Sequence, residues 1–232
     1  MKLSYDLHIH SALSPCGDND MTPNNIANMA IIKGLDMIAL TDHNSCGNLR
    51  ALTEAAGDRL LVIPGIEVET SEDVHVACYF PTIERAEKMA AEVMQRLPKI
   101  KNDSAIFGNQ YYMDSYDEVT SEEEILLVNA TDMDIYEVFA MAAELGGAAV
   151  PAHIDRTSYS VLSNLGFIPP DLPVTSVEIT STNLDRMKNE YSQYNILTNS
   201  DAHYLENISE PENFIDLPGK NAQFLIDFLC KR

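Results

Sequence analysis

The sequence predicts an α/β protein in which short strands alternate with crossover helices. Two observations predict it. Short apolar runs alternate with helical patterns along the chain, the rhythm of parallel strands linked by helices. All six histidines fall near the ends of those runs or just past them, where barrel-type α/β folds build their sites. At 232 residues a small or incomplete β/α barrel is favoured over an open sheet, although the alternation itself accommodates both.

The elements follow in order. Residues 3–10 read as a strand and 23–34 as a helix, with Thr22 as N-cap and Pro23 in the first helical position. Asp36–Leu40 is a strand, Asn48–Ala56 a helix, and Leu60–Ile66 and Val74–Phe80 are strands. Pro81–Leu97 is a strong helix, with Ala86, Met89, Ala90, Val93 and Leu97 on one face. Met133–Leu145 is helical and stops at Gly146-Gly147. Ala148–His153, Ser176–Ile179 and Ile196–Ser200 are short strands, and Asn221–Leu229 is a closing helix. Residues 101–130 break the rhythm. Their aromatics, Phe107, Tyr111 and Tyr112, favour an ordered lid or insertion within one domain spanning 1–232.

Composition narrows the function. Hydrophobic residues make up 45% of the chain, enough for a core, and no apolar run reaches the ~18 residues of a membrane span. The N-terminus lacks a signal-peptide pattern, so the expected location is the cytoplasm. Cys16, Cys46, Cys78 and Cys230 form no CxxC pair and are expected as reduced thiols. With 15 basic and 36 acidic residues the formal charge is -21. That balance repels phosphate backbones and argues against long nucleic acid as a partner. A small anionic substrate, or a short oligonucleotide, is compatible if bound divalent cations reverse the local sign. Much of the acid, such as Glu122-Glu123-Glu124, is solvated surface.

The histidines carry the chemistry. In Asp6-Leu7-His8-Ile9-His10 the i, i+2 spacing places both imidazoles on one strand face, together with Asp6, a carboxylate able to orient an imidazole. His43, in Thr41-Asp42-His43-Asn44, and Glu67, in Pro64-Gly65-Ile66-Glu67, each follow a buried run. Asp42 and Asn44 are placed to tune the shell around His43. His75 starts the run 74–80, and His153 ends another. Asp201 and His203, in Asn199-Ser200-Asp201-Ala202-His203, repeat the N-terminal spacing. Any one of these could be an ordinary polar residue. Together, neutral imidazoles and carboxylates form a donor set for zinc, manganese or iron in a polynuclear site.

The set D-L-H-I-H, T-D-H-N, G-I-E, P-A-H and N-S-D-A-H, spanning residues 6 to 203, resembles the polymerase and histidinol phosphatase (PHP) domain family. The resemblance implies a distorted (β/α)7 TIM-like barrel with three metal ions at the C-terminal ends of the strands. It implies that His8, His10, Glu67 and Asp201 hold the first ion and that Glu67, His75 and His153 hold the third. The second would take His43, His203 and an early residue that is His or Asp in relatives. Asp18 is the best match, with Asp20 as the alternative. Cys16 and Cys46 lie beside these motifs and are not assigned as ligands.

The implied function is a metal-dependent phosphoesterase of a small phosphate ester. A hydroxide bridging two ions would attack phosphorus, with Glu67 and Asp201 in the catalytic centre. Arg156, three residues past His153, is the candidate phosphate contact. No Ser or Cys nucleophile signature and no Gly-rich phosphate loop competes with this reading. The alternatives are a metal-dependent hydrolase of an amide or lactone, or a non-catalytic metal-binding module.

Overall fold

A computed structural model describes residues 1–231. The strands are β1 (Lys2–Ile9), β2 (Met37–Leu40), β3 (Leu61–Glu69), β4 (His75–Tyr79), β5 (Tyr111–Met113), β6 (Val119–Glu122), β7 (Ala148–Pro151), β8 (Ser176–Glu178), β9 (Asn195–Leu197) and β10 (Phe214–Asp216). The helices are α1 (Pro23–Lys33), α2 (Leu49–Ala56), α3 (Ile83–Arg96), α4 (Ser104–Phe107), α5 (Ile135–Glu144), α6 (Val161–Asn164), α7 (Ser181–Met187) and α8 (Ala222–Leu229). α1 starts as its sequence dictates: the Thr22 side chain accepts from Asn25 N–H, and Gly34 ends the helix at φ 81°. Among the described residues no helix is long and apolar enough to cross a membrane.

Six strands form one curled sheet in the order β10-β1-β2-β3-β4-β7. β1, β2 and β3 are parallel, as expected. The expectation of parallel strands throughout fails at β4, which runs antiparallel to both β3 and β7. The cause is the connection. Only residues 70–74 separate β3 from β4, far too few for the crossover a parallel pair needs. The reversal has a functional consequence: it puts the start of β4, and so His75, beside the end of β3, where Glu69 faces His75. β8 and β9 form a separate parallel pair, and a bridge between Ile9 and Ala202 ties the segment after β9 to β1.

Both faces of the sheet are buried, which is why its strands are nearly continuous apolar runs. Ile38, Leu40, Val62, Ile66, Val68, Val76 and Cys78 pack outward against α1, α2, α3 and α5. Leu3, Tyr5, Leu7, Met37, Ala39, Ile63, Ala77 and Tyr79 pack inward on Leu225, Ile226 and Leu229 of α8. Strand alternation then assigns the polar residues. Glu67, between Ile66 and Val68, and His75, next to Val76, must face inward.

β1 contains a bulge. The register against β2 shifts between Asp6 and Ile9, so one extra residue stands on β1. Leu7 packs in the inner cluster but Ile9 in the outer one. The bulge thus reverses the alternation and turns His10 inward. The backbone groups at the bulge remain satisfied: Leu7 N–H donates to Asn199 Oδ1 at 2.9 Å, and Tyr79 O–H donates to the Leu7 carbonyl at 2.9 Å.

Residues 101–130 are ordered, with α4 and the hairpin β5–β6. Asn48 Nδ2 donates to the Tyr111 carbonyl and its Oδ1 accepts from Met113 N–H. Asn44 Nδ2 donates to the carbonyls of Leu127 at 2.7 Å and Asn129 at 3.0 Å. Asn44 therefore clamps the far end of this segment instead of tuning the shell around His43.

Candidate metal centre

Two carboxylates organise the site. Glu67 Oε1 lies 3.1 Å from His8 Nε2, 3.1 Å from His75 Nδ1 and 3.4 Å from His153 Nε2. Glu67 Oε2 lies 3.0 Å from His43 Nδ1 and 3.4 Å from His10 Nε2. Asp201 Oδ1 lies 3.0 Å from His10 Nε2 and 3.3 Å from His8 Nε2. His8, His10, His43, His153 and Glu67 are buried.

These close pairs are not hydrogen bonds. His8 Nε2, His10 Nε2, His43 Nδ1, both Glu67 oxygens, His75 Nε2, His153 Nδ1 and Asp201 Oδ1 are buried without a hydrogen-bond partner. Donor atoms that approach one another yet miss hydrogen-bond geometry point at shared space. Leaving this many buried polar atoms unpaired costs about 1–3 kcal/mol each, an arrangement that fits donors able to share cations. Three groups of donors converge within 4.8 Å: His8, His10 and Asp201; His10, His43 and His203; His43, Glu67 and His75.

The surrounding groups set the tautomers. Glu178, buried at the end of β8, accepts from His8 Nδ1 at 3.0 and 3.1 Å and is itself held by Asn199 Nδ2 at 2.7 Å. The Nδ1 proton leaves the His8 Nε2 lone pair free for a metal. Ser14 does the same for His10 by a longer route. Its hydroxyl has one hydrogen, which it donates to Asp42 Oδ1 at 2.7 Å, so it must accept from His10 Nδ1 at 3.0 Å. His203 Nδ1 donates to the Asp201 carbonyl at 2.9 Å, freeing its Nε2.

Electrostatics reflect crowding of like donors. Burial alone would raise the Glu67 carboxyl, but His75 and His8 beside it hold it well below the usual range. Asp201 is likewise well below, since His8 and His10 outweigh its burial. Burial pushes His10 down, reinforced by His203 and His43, so His10 is neutral. For His8 burial acts downward too, but Glu178, Glu67 and Asp201 carry it well up. A cation bound here would displace any proton held by the raised imidazoles.

The family model of the PHP domain matches residues 6–206. The chain belongs to the PHP domain family. Among solved structures, the lesion-specific endonuclease Q of Pyrococcus furiosus superposes with a TM-score of 0.75 at 20% identity, covering 99% of this chain and 56% of that one. The chain thus spans little more than half the length of that enzyme. A proposed metal-dependent phosphoesterase of Bifidobacterium adolescentis gives a TM-score of 0.59 at 19% identity, covering 91% and 92% of the two chains. An amidohydrolase of Chromobacterium violaceum gives 0.59 at 20% identity, covering 94% and 93%. At these identities the likeness is one of fold. No curated protein matches significantly.

In this PHP domain the structure brings together eight of the nine anticipated ligands: His8, His10, His43, Glu67, His75, His153, Asp201 and His203. Asp18 stands outside the converging donors. Its backbone N–H donates to the His203 carbonyl, and its side chain accepts from Asp20 N–H at 2.8 Å. Arg156 reaches the site: Nη1 lies 2.5 Å from Asp201 Oδ2 while its side chain is 43% exposed, so it can meet a ligand from solvent. Asp6 does not orient an imidazole. It accepts from Ser200 N–H, Ser200 O–H and Ser209 N–H, fixing the segment just before Asp201. Glu178, which sequence reasoning passed over, takes that role. Its signal was present: it lies between Val177 and Ile179, the same single acid in an apolar strand end that marked Glu67.

Backbone strain concentrates here. Asn44, His153, Tyr159 and Asp201 adopt φ of 50°, 29°, 54° and 52°, conformations that L residues avoid and that gather at functional sites. A cavity of about 430 Å³ opens beside the donors; its lining includes the apolar Phe107, Leu126, Val128 and Tyr159 together with His43, His75, His153, His203 and Arg156. Tyr159 stacks on His75 at 4.9 Å. The site thus combines a cluster of donors able to hold cations, a half-exposed guanidinium and apolar lining residues.

Proposed function

We propose that this PHP domain is a metal-dependent phosphoesterase of a small phosphate ester: a phosphomonoester, or a nucleotide or short oligonucleotide phosphate. The observation that carries the reading is the convergence of buried, unpartnered imidazole and carboxylate atoms beneath the exposed guanidinium of Arg156. The donor set is oxygen- and nitrogen-rich and fits zinc, manganese or iron. The family's three ions would be held by His8, His10, Glu67 and Asp201, by Glu67, His75 and His153, and by a set containing His43 and His203. When bound, the ions supply Lewis acidity and a nucleophile at neutral pH.

The chain's own residues do the rest. Glu178 and Ser14 hold His8 and His10 in the tautomers that present Nε2. Arg156 pairs with a phosphate oxygen and orients the ester. Phe107, Leu126 and Val128 shield the reacting centre from bulk water and receive the leaving group. On this reading residues 1–232 work as one domain, a (β/α)7-type barrel, with 101–130 as a lid. Four free thiols fit a reducing compartment, the cytoplasm. The strongly acidic balance favours small substrates over a long duplex.

The test is phosphate release by metal-loaded protein from a panel of phosphomonoesters, bisphosphorylated nucleotides and short oligonucleotides. Turnover of one class, abolished in His8→Ala, is the expected result. A metal-loaded protein that releases phosphate from none, but opens amides or lactones, would replace the phosphoesterase reading.

A further inference from the structure

The incomplete part of the centre is the group His10, His43 and His203, where Asp18 does not join the other donors. What stands there is the turn Ser14-Pro15-Cys16-Gly17. Gly17 N–H donates to the Ser14 carbonyl, and the next residue's N–H reaches the His203 carbonyl. A Cβ at Gly17 would lie 2.5 Å from the Ser11 carbonyl oxygen, so only glycine allows this tight a turn. From the other side Gly108 packs on the Pro15 carbonyl, where a Cβ would meet it at 2.0 Å. The turn is held on both flanks with Cys16 at its tip.

The Cys16 side chain lines the same cavity as His43 and His203, close enough for both rings to act on its thiol. It is a free cysteine, open to that cavity. The third member of the group, His10, is completely buried, and its Nε2 has no hydrogen-bond partner; a ring nitrogen of His10 lies within 4.8 Å of the donor atoms of His43 and His203. A sulfur donor thus stands on the cavity beside this group of three imidazoles, where the centre lacks its carboxylate.

We infer that Cys16 is a metal ligand of this centre, completing the position held by His43 and His203 in place of Asp18. The inference rests on the metal-centre reading above and refines it. A thiolate is soft, so this position takes a thiophilic ion such as zinc or iron in preference to manganese. The thiol proton leaves to solvent as the metal–sulfur bond forms, with no change of oxidation state.

Cobalt(II) tests this directly, because a cobalt–thiolate bond gives an intense near-ultraviolet charge-transfer band that nitrogen and oxygen ligands do not. Metal-free protein titrated with cobalt(II) should develop the band and bind its full complement of ions. Cys16→Ser and Cys16→Ala should lose the band and one ion per chain. Asp18→Asn and Cys46→Ser should keep both, and circular dichroism of the variants should confirm the fold. Full cobalt loading without the band, or with a band untouched by Cys16→Ser, overturns the inference and leaves the metal centre standing. Loss of an ion in Asp18→Asn alone returns the position to Asp18. A wild-type chain that binds no cobalt overturns both readings.

Discussion

Glu178 stands behind His8. Its carboxylate meets Nδ1 at 3.0 and 3.1 Å, while the opposite ring nitrogen, Nε2, faces Glu67 and Asp201 without a hydrogen-bond partner. The imidazole is gripped on one side and left open on the other. Removing the grip should loosen the metal without removing a ligand. Glu178→Gln should weaken metal binding by roughly 10- to 100-fold, the usual cost of losing such a partner. Competition with a chelator measures it. Unchanged affinity would show that His8 needs no orienting carboxylate.

Arg156 is the one cation that both touches the centre and faces solvent among the site residues described above. A hydrogen bond to a charged group is worth ~1.5–3 kcal/mol, so Arg156→Ala should raise KM for a phosphate ester roughly ten- to a hundredfold. Metal content should stay constant. A variant with unchanged KM would remove Arg156 from substrate binding and leave it as a partner of Asp201 only.

Metal affinity should rise with pH. In the metal-free protein burial acts against the charged forms of His8, His43 and His75, but neighbouring charges carry all three above their ordinary value of 6.5. A raised folded pKa means these groups stabilise the metal-free fold fully below pH 6.5 and lose that contribution as pH climbs through their raised values. Cations must displace the same protons. Calorimetric titration in buffers of different ionisation enthalpy should show proton release on binding, with tighter binding as pH increases. Affinity independent of pH, with no protons released, would contradict this.

Asn44 ties the segment 101–130 to the centre. It is fully buried, sits at φ 50°, donates to Leu127 and Asn129, and accepts from Glu69 N–H. Asn44→Ala leaves those groups unsatisfied and should cost several times the ~1–3 kcal/mol of one buried orphan. Asn44→Gly, which tolerates the left-handed backbone, should recover about 1 kcal/mol of that loss. Chemical denaturation separates the two. Equal stability of both variants would remove the backbone argument.

The centre was legible because its histidines lie at strand ends, a relationship that residue order preserves. Most of the elements were legible for a related reason: both faces of the sheet are buried, so strands stand out as apolar runs. The direction of β4 was missed although the five residues between Glu69 and His75 already forbade a crossover. Asp6 was misjudged because alternation places it beside His8 in sequence, whereas the bulge in β1 breaks that alternation. That the Asp18 side chain stays outside the converging donors was not legible, because it depends on how the turn after Ser14 meets the His203 backbone across the fold.

The buried donors are proposed to form a polynuclear metal centre. Elemental analysis of purified, metal-replete protein tests it most directly. The structure predicts two to three divalent ions per chain, about one each at the converging groups, falling sharply in Glu67→Gln because Glu67 faces His8, His10, His43, His75 and His153 at once. A replete protein that carries no metal would contradict the account.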